Sequence, residues 1–125
     1  MVAKPDRRRM TGLQGESLAA QYMEQNGYSI LDRNWRCRSG ELDIVAVLDD
    51  SLVFVEVRTR KSISRFGTPA ESVDERKQRQ VRQTAQVYLM SKRLNEQRSV
   101  RFDVITVHLY AEQNAPKIEH YENAF

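Results

Sequence analysis

Residues 40–60 read GELDIVAVLDDSLVFVEVRTR, and the fold turns on how this stretch is read. Two apolar, β-branched runs, Leu42 to Leu48 and Leu52 to Val57, flank Asp49-Asp50, a pair with turn chemistry, so the stretch reads as a β-hairpin. With Asp49-Asp50 as a two-residue loop, Leu48 faces Ser51, Asp43 faces Glu56 and Glu41 faces Arg58. Period-2 alternation then gathers Leu42, Ile44, Ala46, Val53, Val55 and Val57 on one face, which is apolar and expected to meet a core. The opposite face begins near the turn with Val45, Val47, Leu52 and Phe54. At the far end it switches to Glu41, Asp43, Glu56 and Arg58.

That switch is the main chemical clue. Between positions 41 and 56 the chain carries Glu41, Asp43, Asp49, Asp50 and Glu56 but no lysine or arginine, and three of these acids share one patch. Two carboxylates about 4 Å apart repel by roughly 4 kcal/mol at an effective dielectric near 20. Arg58 can neutralise one of them, and a divalent cation answers the remainder more completely. Oxygen ligands without His or Cys in the patch favour Mg²⁺ or Mn²⁺ over Zn²⁺. The competing reading is a cross-strand Glu41–Arg58 ion pair with Asp43 and Glu56 simply solvated, an arrangement worth about 0–1 kcal/mol at a surface.

Asp43, followed after twelve residues by Glu56-Val57-Arg58, resembles the PD-(D/E)xK nuclease pattern, in which an acid on one strand faces an acid-x-Lys triplet on the next. Further stretches fit the same comparison: Gly15-Glu16 with Leu18-Ala19, Asn26-Gly27-Tyr28, Asn34-Trp35-Arg36, Gly40 to Ile44, Phe54 to Arg60, Arg101 to Val104 and the closing Asn123-Ala124-Phe125. In combination they resemble the YraN family, a bacterial family with a Holliday-junction-resolvase-like endonuclease fold, from about Gly12 to the C-terminus. The resemblance implies a restriction-endonuclease-like α/β fold, a Mg²⁺ or Mn²⁺ cofactor, DNA as partner and, by analogy with resolvases, a homodimer. It also implies that Glu16, on the helix before the first strand, reaches the metal site. Arg58 stands where the superfamily has lysine, and in some relatives that lysine has moved to the following helix, where Lys77 stands.

The 125 residues, 40% hydrophobic and 30% charged, make one compact domain. No apolar run approaches the roughly 20 residues of a membrane span and no signal-peptide core is evident, so a cytoplasmic protein without membrane association is expected. A single cysteine, Cys37, excludes an internal disulfide. The net charge of +3 is unevenly spread. From residue 58 to 82 the bases Arg58, Arg60, Lys61, Arg65, Arg76, Lys77, Arg79 and Arg82 face only Glu71, Asp74 and Glu75. A basic flank beside an acidic patch suits a protein that holds a phosphate backbone.

In chain order, residues 1–10 are expected to be a disordered basic tail and residues 11–125 the domain. Thr11 and Gln14 have capping-box spacing, and the helix that follows should stop at Asn26-Gly27, with Leu13, Ala19, Ala20, Tyr22 and Met23 buried. Glu16 in its first turn is also what the helix macrodipole alone would favour. Residues 28–35 read as a strand with Ile30 and Trp35 inward. Residues 61–71 read as an aperiodic loop in which Arg60, Lys61, Arg65 and Phe66 form a backbone clamp or, alternatively, a solvated segment with Phe66 in the core. Ser72 and Glu75 predict a second helix to about Lys92, with Val81, Ala85, Tyr88 and Leu89 inward and Arg76, Lys77, Arg79 and Arg82 on its first half. Residues 100–110 and 117–122 read as two further strands, with Asp103 structural and His108 and His120 unpartnered.

The element order is α-β-β-β-α-β-β, a mixed sheet flanked by helices. Two functions follow. In the first, a metal-dependent endonuclease acts on structured DNA: Asp43, Glu56 and the Val57 carbonyl hold the metal, Glu41 and Glu16 complete its surroundings, Arg58 and Lys77 offset transition-state charge, and Arg60, Lys61, Arg65, Arg76, Lys77 and Arg79 hold the backbone. In the second, the same fold binds nucleic acid without turnover, with Arg58 locked to Glu41.

Overall fold

The structure is a computed structural model that describes residues 7–61, 73–94, 98–109 and 115–125, with only the backbone described at 7 and 8. Its elements are α1 (Arg7–Gln25), β1 (Ser29–Cys37), β2 (Gly40–Leu48), β3 (Ser51–Arg60), α2 (Glu75–Ser91), β4 (Ser99–His108) and β5 (Lys117–Tyr121). The five strands form one mixed sheet in the order β1-β2-β3-β4-β5. All neighbours are antiparallel except β3 and β4, which run parallel and are joined across the sheet by α2. The expected order of two helices and five strands is therefore the observed one.

The hairpin forms as its turn chemistry dictates. Asp49 takes φ +53°, a left-handed conformation that aspartate tolerates, and Leu48 pairs with Ser51. From there the register runs to Ile44 opposite Val55. β3 is buried from Leu52 to Val57 because both its faces are covered, which explains why its apolar run does not alternate. On one face Ala19, Ala20 and Met23 of α1 pack on Ile44, Ala46, Val53, Val55, Val57, Ile105 and Val107. On the other, Val81, Ala85 and Tyr88 of α2 pack on Leu42, Val45, Leu52 and Phe54. Each valine, leucine, isoleucine, phenylalanine or methionine among them, fully buried, contributes about 1.5–3 kcal/mol.

Several local expectations are corrected. Leu42 packs in the α2-side core and not with Ile44 and Ala46. The alternation breaks at Asp43, which falls outside both strand registers, while Asn34, its would-be neighbour on β1, takes φ +52°. α1 starts at Arg7, four residues before Thr11, so part of the segment expected to be a disordered tail is helical. Leu13 is 46% exposed and does not join the buried stripe. The cap of α2 is Asp74, whose side chain accepts the Lys77 N–H at 2.8 Å; Ser72 lies outside the described residues. At the end of α1, Gly27 takes φ +89° and the Tyr28 N–H returns to the Met23 carbonyl at 3.0 Å, as the Asn26-Gly27 stop predicts.

Candidate active site

The hairpin opens where its polar end begins. Past Ile44–Val55 the backbone ladder gives way to a side chain: Asp43 Oδ2 accepts the Val57 N–H at 2.9 Å. This bond fixes the Asp43 carboxyl beside Glu56, the neighbour of Val57 in the chain. Glu56 is 2% exposed, and its Oε1 has no hydrogen-bond partner among the described residues. Burial pushes its carboxyl up to about 9; the charge of Asp43 and a hydrogen bond to Asp43 add to the rise, and Lys77 and Arg58 oppose it. Two carboxyls here share what one proton can satisfy.

A third acid arrives from α1. Gly15 makes that approach feasible: a Cβ there would lie 1.8 Å from Thr59 Oγ1 and 2.9 Å from Thr59 Cβ, so only glycine lets α1 seat this closely on β3. The next residue, Glu16, has an Oε2 that is buried without a hydrogen-bond partner among the described residues. Partial burial and the charge of Asp43 raise its carboxyl above the ordinary value, Glu41 adds a smaller push, and a hydrogen bond with Asn34 pulls the other way. Glu16, Asp43 and Glu56 thus come from α1, β2 and β3 to one end of the sheet, in mutual electrostatic contact through Asp43.

The cations divide between the two faces. Arg58, whose buried Nε lacks a hydrogen-bond partner among the described residues, lines an open groove of about 560 Å³ with Glu16, Val57, Arg60 and Lys61. Arg76, Lys77 and Arg79 line a second of about 540 Å³ with Ser39, Gln80 and Gln83. Glu41 departs from expectation: it pairs with Arg36 at 3.5 Å, not with Arg58. Arg36 is its direct cross-strand neighbour on β1, whereas the β2–β3 ladder ends before Glu41. Arg65 and Phe66 lie outside the described residues.

Asp103 is structural, as expected, but the histidines have partners. His120 Nε2 lies 2.7 Å from Asp103 Oδ2, and His108 Nε2 lies 3.3 Å from Glu119. Sequence reasoning passed over the roles of Asn34, which reaches Glu16, and of Gln80, whose Nε2 donates to the Ser39 carbonyl at 3.1 Å and braces the β1–β2 turn. An asparagine between strand residues was the available signal for a left-handed position.

Among the described residues no three His, Cys, Asp or Glu side chains stand close enough to hold a metal ion by themselves. The donor set nonetheless fits Mg²⁺ or Mn²⁺: partnerless buried carboxylate oxygens are present, and Mg²⁺ takes one or two carboxylates and fills its other positions with water and phosphate oxygen. No described helix is long and apolar enough to cross a membrane.

A family model described as uncharacterised protein family UPF0102 matches residues 15–107. A UPF0102 protein of Alkaliphilus oremlandii is 50% identical over 115 residues, covering 91% of this chain and 96% of the relative. Another, of Moorella thermoacetica, is 48% identical over 118 residues, covering 94% and 97%. A third, of Caldanaerobacter subterraneus subsp. tengcongensis, is 43% identical over 119 residues, covering 94% and 96%.

Proposed function

The chain belongs to the UPF0102 family, and we propose that it is a metal-dependent endonuclease that hydrolyses phosphodiester bonds of structured DNA. The observation that carries this reading is the meeting of Asp43 and Glu56 beside Glu16, with buried carboxylate oxygens that have no hydrogen-bond partner among the described residues. Leaving a buried polar group unpaired costs roughly 1–3 kcal/mol, more for a charged one, and such costs persist where a ligand repays them.

Asp43, Glu56 and the Val57 carbonyl would hold the ion. Bound there, Mg²⁺ or Mn²⁺ supplies Lewis acidity toward a phosphoryl oxygen and lowers the pKa of a water. The protein's own groups do the rest. The Val57 N–H keeps Asp43 aimed at the site. Arg58 and Lys77, whose charges already act on Glu56, offset charge that builds on the phosphoryl oxygens. A guanidinium supplies charge and hydrogen-bond donors, not a base. Glu16, with its raised carboxyl and free oxygen, is the proton acceptor best placed beside the pair. Arg60 and Lys61 on one groove and Arg76 and Arg79 on the other are positioned to hold backbone phosphates. The alternative of a binder without turnover rested on a locked Arg58–Glu41 pair, and Glu41 is instead engaged by Arg36.

The experiment is a cleavage panel of branched, flapped, duplex and single-stranded DNA with Mg²⁺, Mn²⁺ or chelator. Metal-dependent cutting that Asp43→Asn and Glu56→Gln each abolish is the expected result. Cutting that survives both substitutions overturns the assignment.

A further inference from the structure

At the opposite end of β3, an apolar groove of about 590 Å³ lies between the C-terminal half of α2 and the first residues of β3 and β4. Leu52, Leu89, Met90, Leu94 and Val100 form its aliphatic lining. Met90 is 79% exposed and Val100 41%. Two of the six large hydrophobic side chains exposed among the described residues, Met90 and Val100, therefore line one groove. Single exposed apolar residues are ordinary, whereas a cluster rimmed by charge marks a surface that meets something.

Among the described residues the charged side chains that line the groove are Arg93 and Arg98, and no acid does. Arg93 also sits where arginine is poorly suited. It follows α2 with φ +52°, a helix-stop conformation that glycine or asparagine adopts more easily. The turn is held by bonds from the Arg93 N–H to the Met90 carbonyl at 3.2 Å and from the Leu94 N–H to the Leu89 carbonyl at 3.1 Å. Backbone strain kept at a non-glycine residue points to a use for its side chain.

We propose that this groove docks a short acidic segment of another protein, with apolar side chains seated on Met90, Leu94 and Val100 and carboxylates paired with Arg93 and Arg98. Charge complementarity selects this occupant. A nucleic acid would meet no aromatic side chain on which to stack, since every apolar lining residue is aliphatic. A second copy would bring a net charge of +3 toward an already basic rim. Leu52 precedes Glu56 by four residues of β3, about 13 Å at roughly 3.3 Å per residue, so the docked segment leaves the carboxylate end open. The inference stands apart from the nuclease reading.

The probe is a fluorescein-labelled peptide EDLFDELD, compared by anisotropy with KKLFKKLK at physiological salt. The acidic peptide should bind saturably and the basic one should not. Met90→Glu and Arg98→Glu should each weaken binding by about tenfold or more, while Glu56→Gln should leave it unchanged. Arg93→Gly separates docking from mere structure: it should raise the melting temperature by relieving the backbone and still weaken the peptide. No binding of the acidic peptide, equal binding of both, displacement by a DNA duplex, or conversion of a dimer to a monomer by Met90→Glu in sedimentation would each overturn the proposal.

Discussion

Glu56 and Asp103 are buried acids on adjacent, parallel strands, 2% and 0% exposed, yet the protein treats them in opposite ways. Asp103 is fully engaged: Arg101 donates to both its oxygens at 2.9 and 2.8 Å, His120 lies at 2.7 Å, and the Asn123 N–H donates at 3.1 Å. Burial alone would raise its carboxyl, but the bonds from His120, Arg101 and Asn123 outweigh it and hold the group below its ordinary value. Glu56 has a second carboxyl as its neighbour, an oxygen without a partner and a value pushed up to about 9. One acid ties β4 to β5 and the C-terminal turn. The other, on the reading proposed above, is a candidate ligand for a cation.

The largest expected effect tests the satisfied acid. Asp103→Ala leaves Arg101 and His120 facing an empty, buried position, so it should destabilise the fold by about 3–5 kcal/mol, read by urea unfolding. A loss under about 1 kcal/mol would remove the distinction between the two acids. Glu56→Gln should do the reverse and stabilise the metal-free protein by on the order of 2 kcal/mol at pH 7, since it ends the carboxyl's dependence on a proton.

The pH profile sharpens that contrast. The folded value of Glu56 lies above its unfolded 4.5, so its contribution is full below about pH 4.5 and drains away as pH rises toward 9. Asp103 is depressed, so its contribution is present above its unfolded 3.8 and is lost as pH falls through the lower folded value. Wild-type stability between pH 5 and 9 should therefore fall more than that of Glu56→Gln, with both losing stability in acid. Parallel profiles across the alkaline limb would contradict the assignment. A smaller effect concerns the grooves: Arg79→Ala should weaken duplex binding and reduce the log–log salt slope by about 0.9, the loss of one phosphate contact. An unchanged slope would place the footprint elsewhere.

Much of this could be read in the chain because the hairpin is self-registering. A two-residue turn and a period of 2 bring Asp43 beside Glu56 without further information, and the Gly15-Glu16 pair carried the resemblance that added the third acid. What escaped depended on distant pairings. The Arg36–Glu41 contact requires the β1 register, which shifts at the irregularity between Ile30 and Asp32. The His120–Asp103 bond requires β5 to pair with β4 at Val104 opposite Tyr121, and no local pattern encodes that. Leu42 was misplaced because period-2 counting assumes an unbroken strand, and the strand breaks at the residue whose side chain builds the site.

The central claim is that Asp43 and Glu56 await a divalent cation, and a thermal melt of wild type and Asp43→Asn with and without Mn²⁺ tests it most directly. Asparagine can still accept the Val57 N–H while removing the charge that raises the carboxyls of both Glu56 and Glu16. Binding to the folded state alone stabilises by about 2.7 kcal/mol at a hundredfold excess over Kd, a rise of several degrees for a domain of this size. The account predicts that rise for wild type, a higher metal-free melting temperature for Asp43→Asn, and no metal shift in the variant. A variant less stable than wild type without metal, together with no shift in either protein, would contradict it.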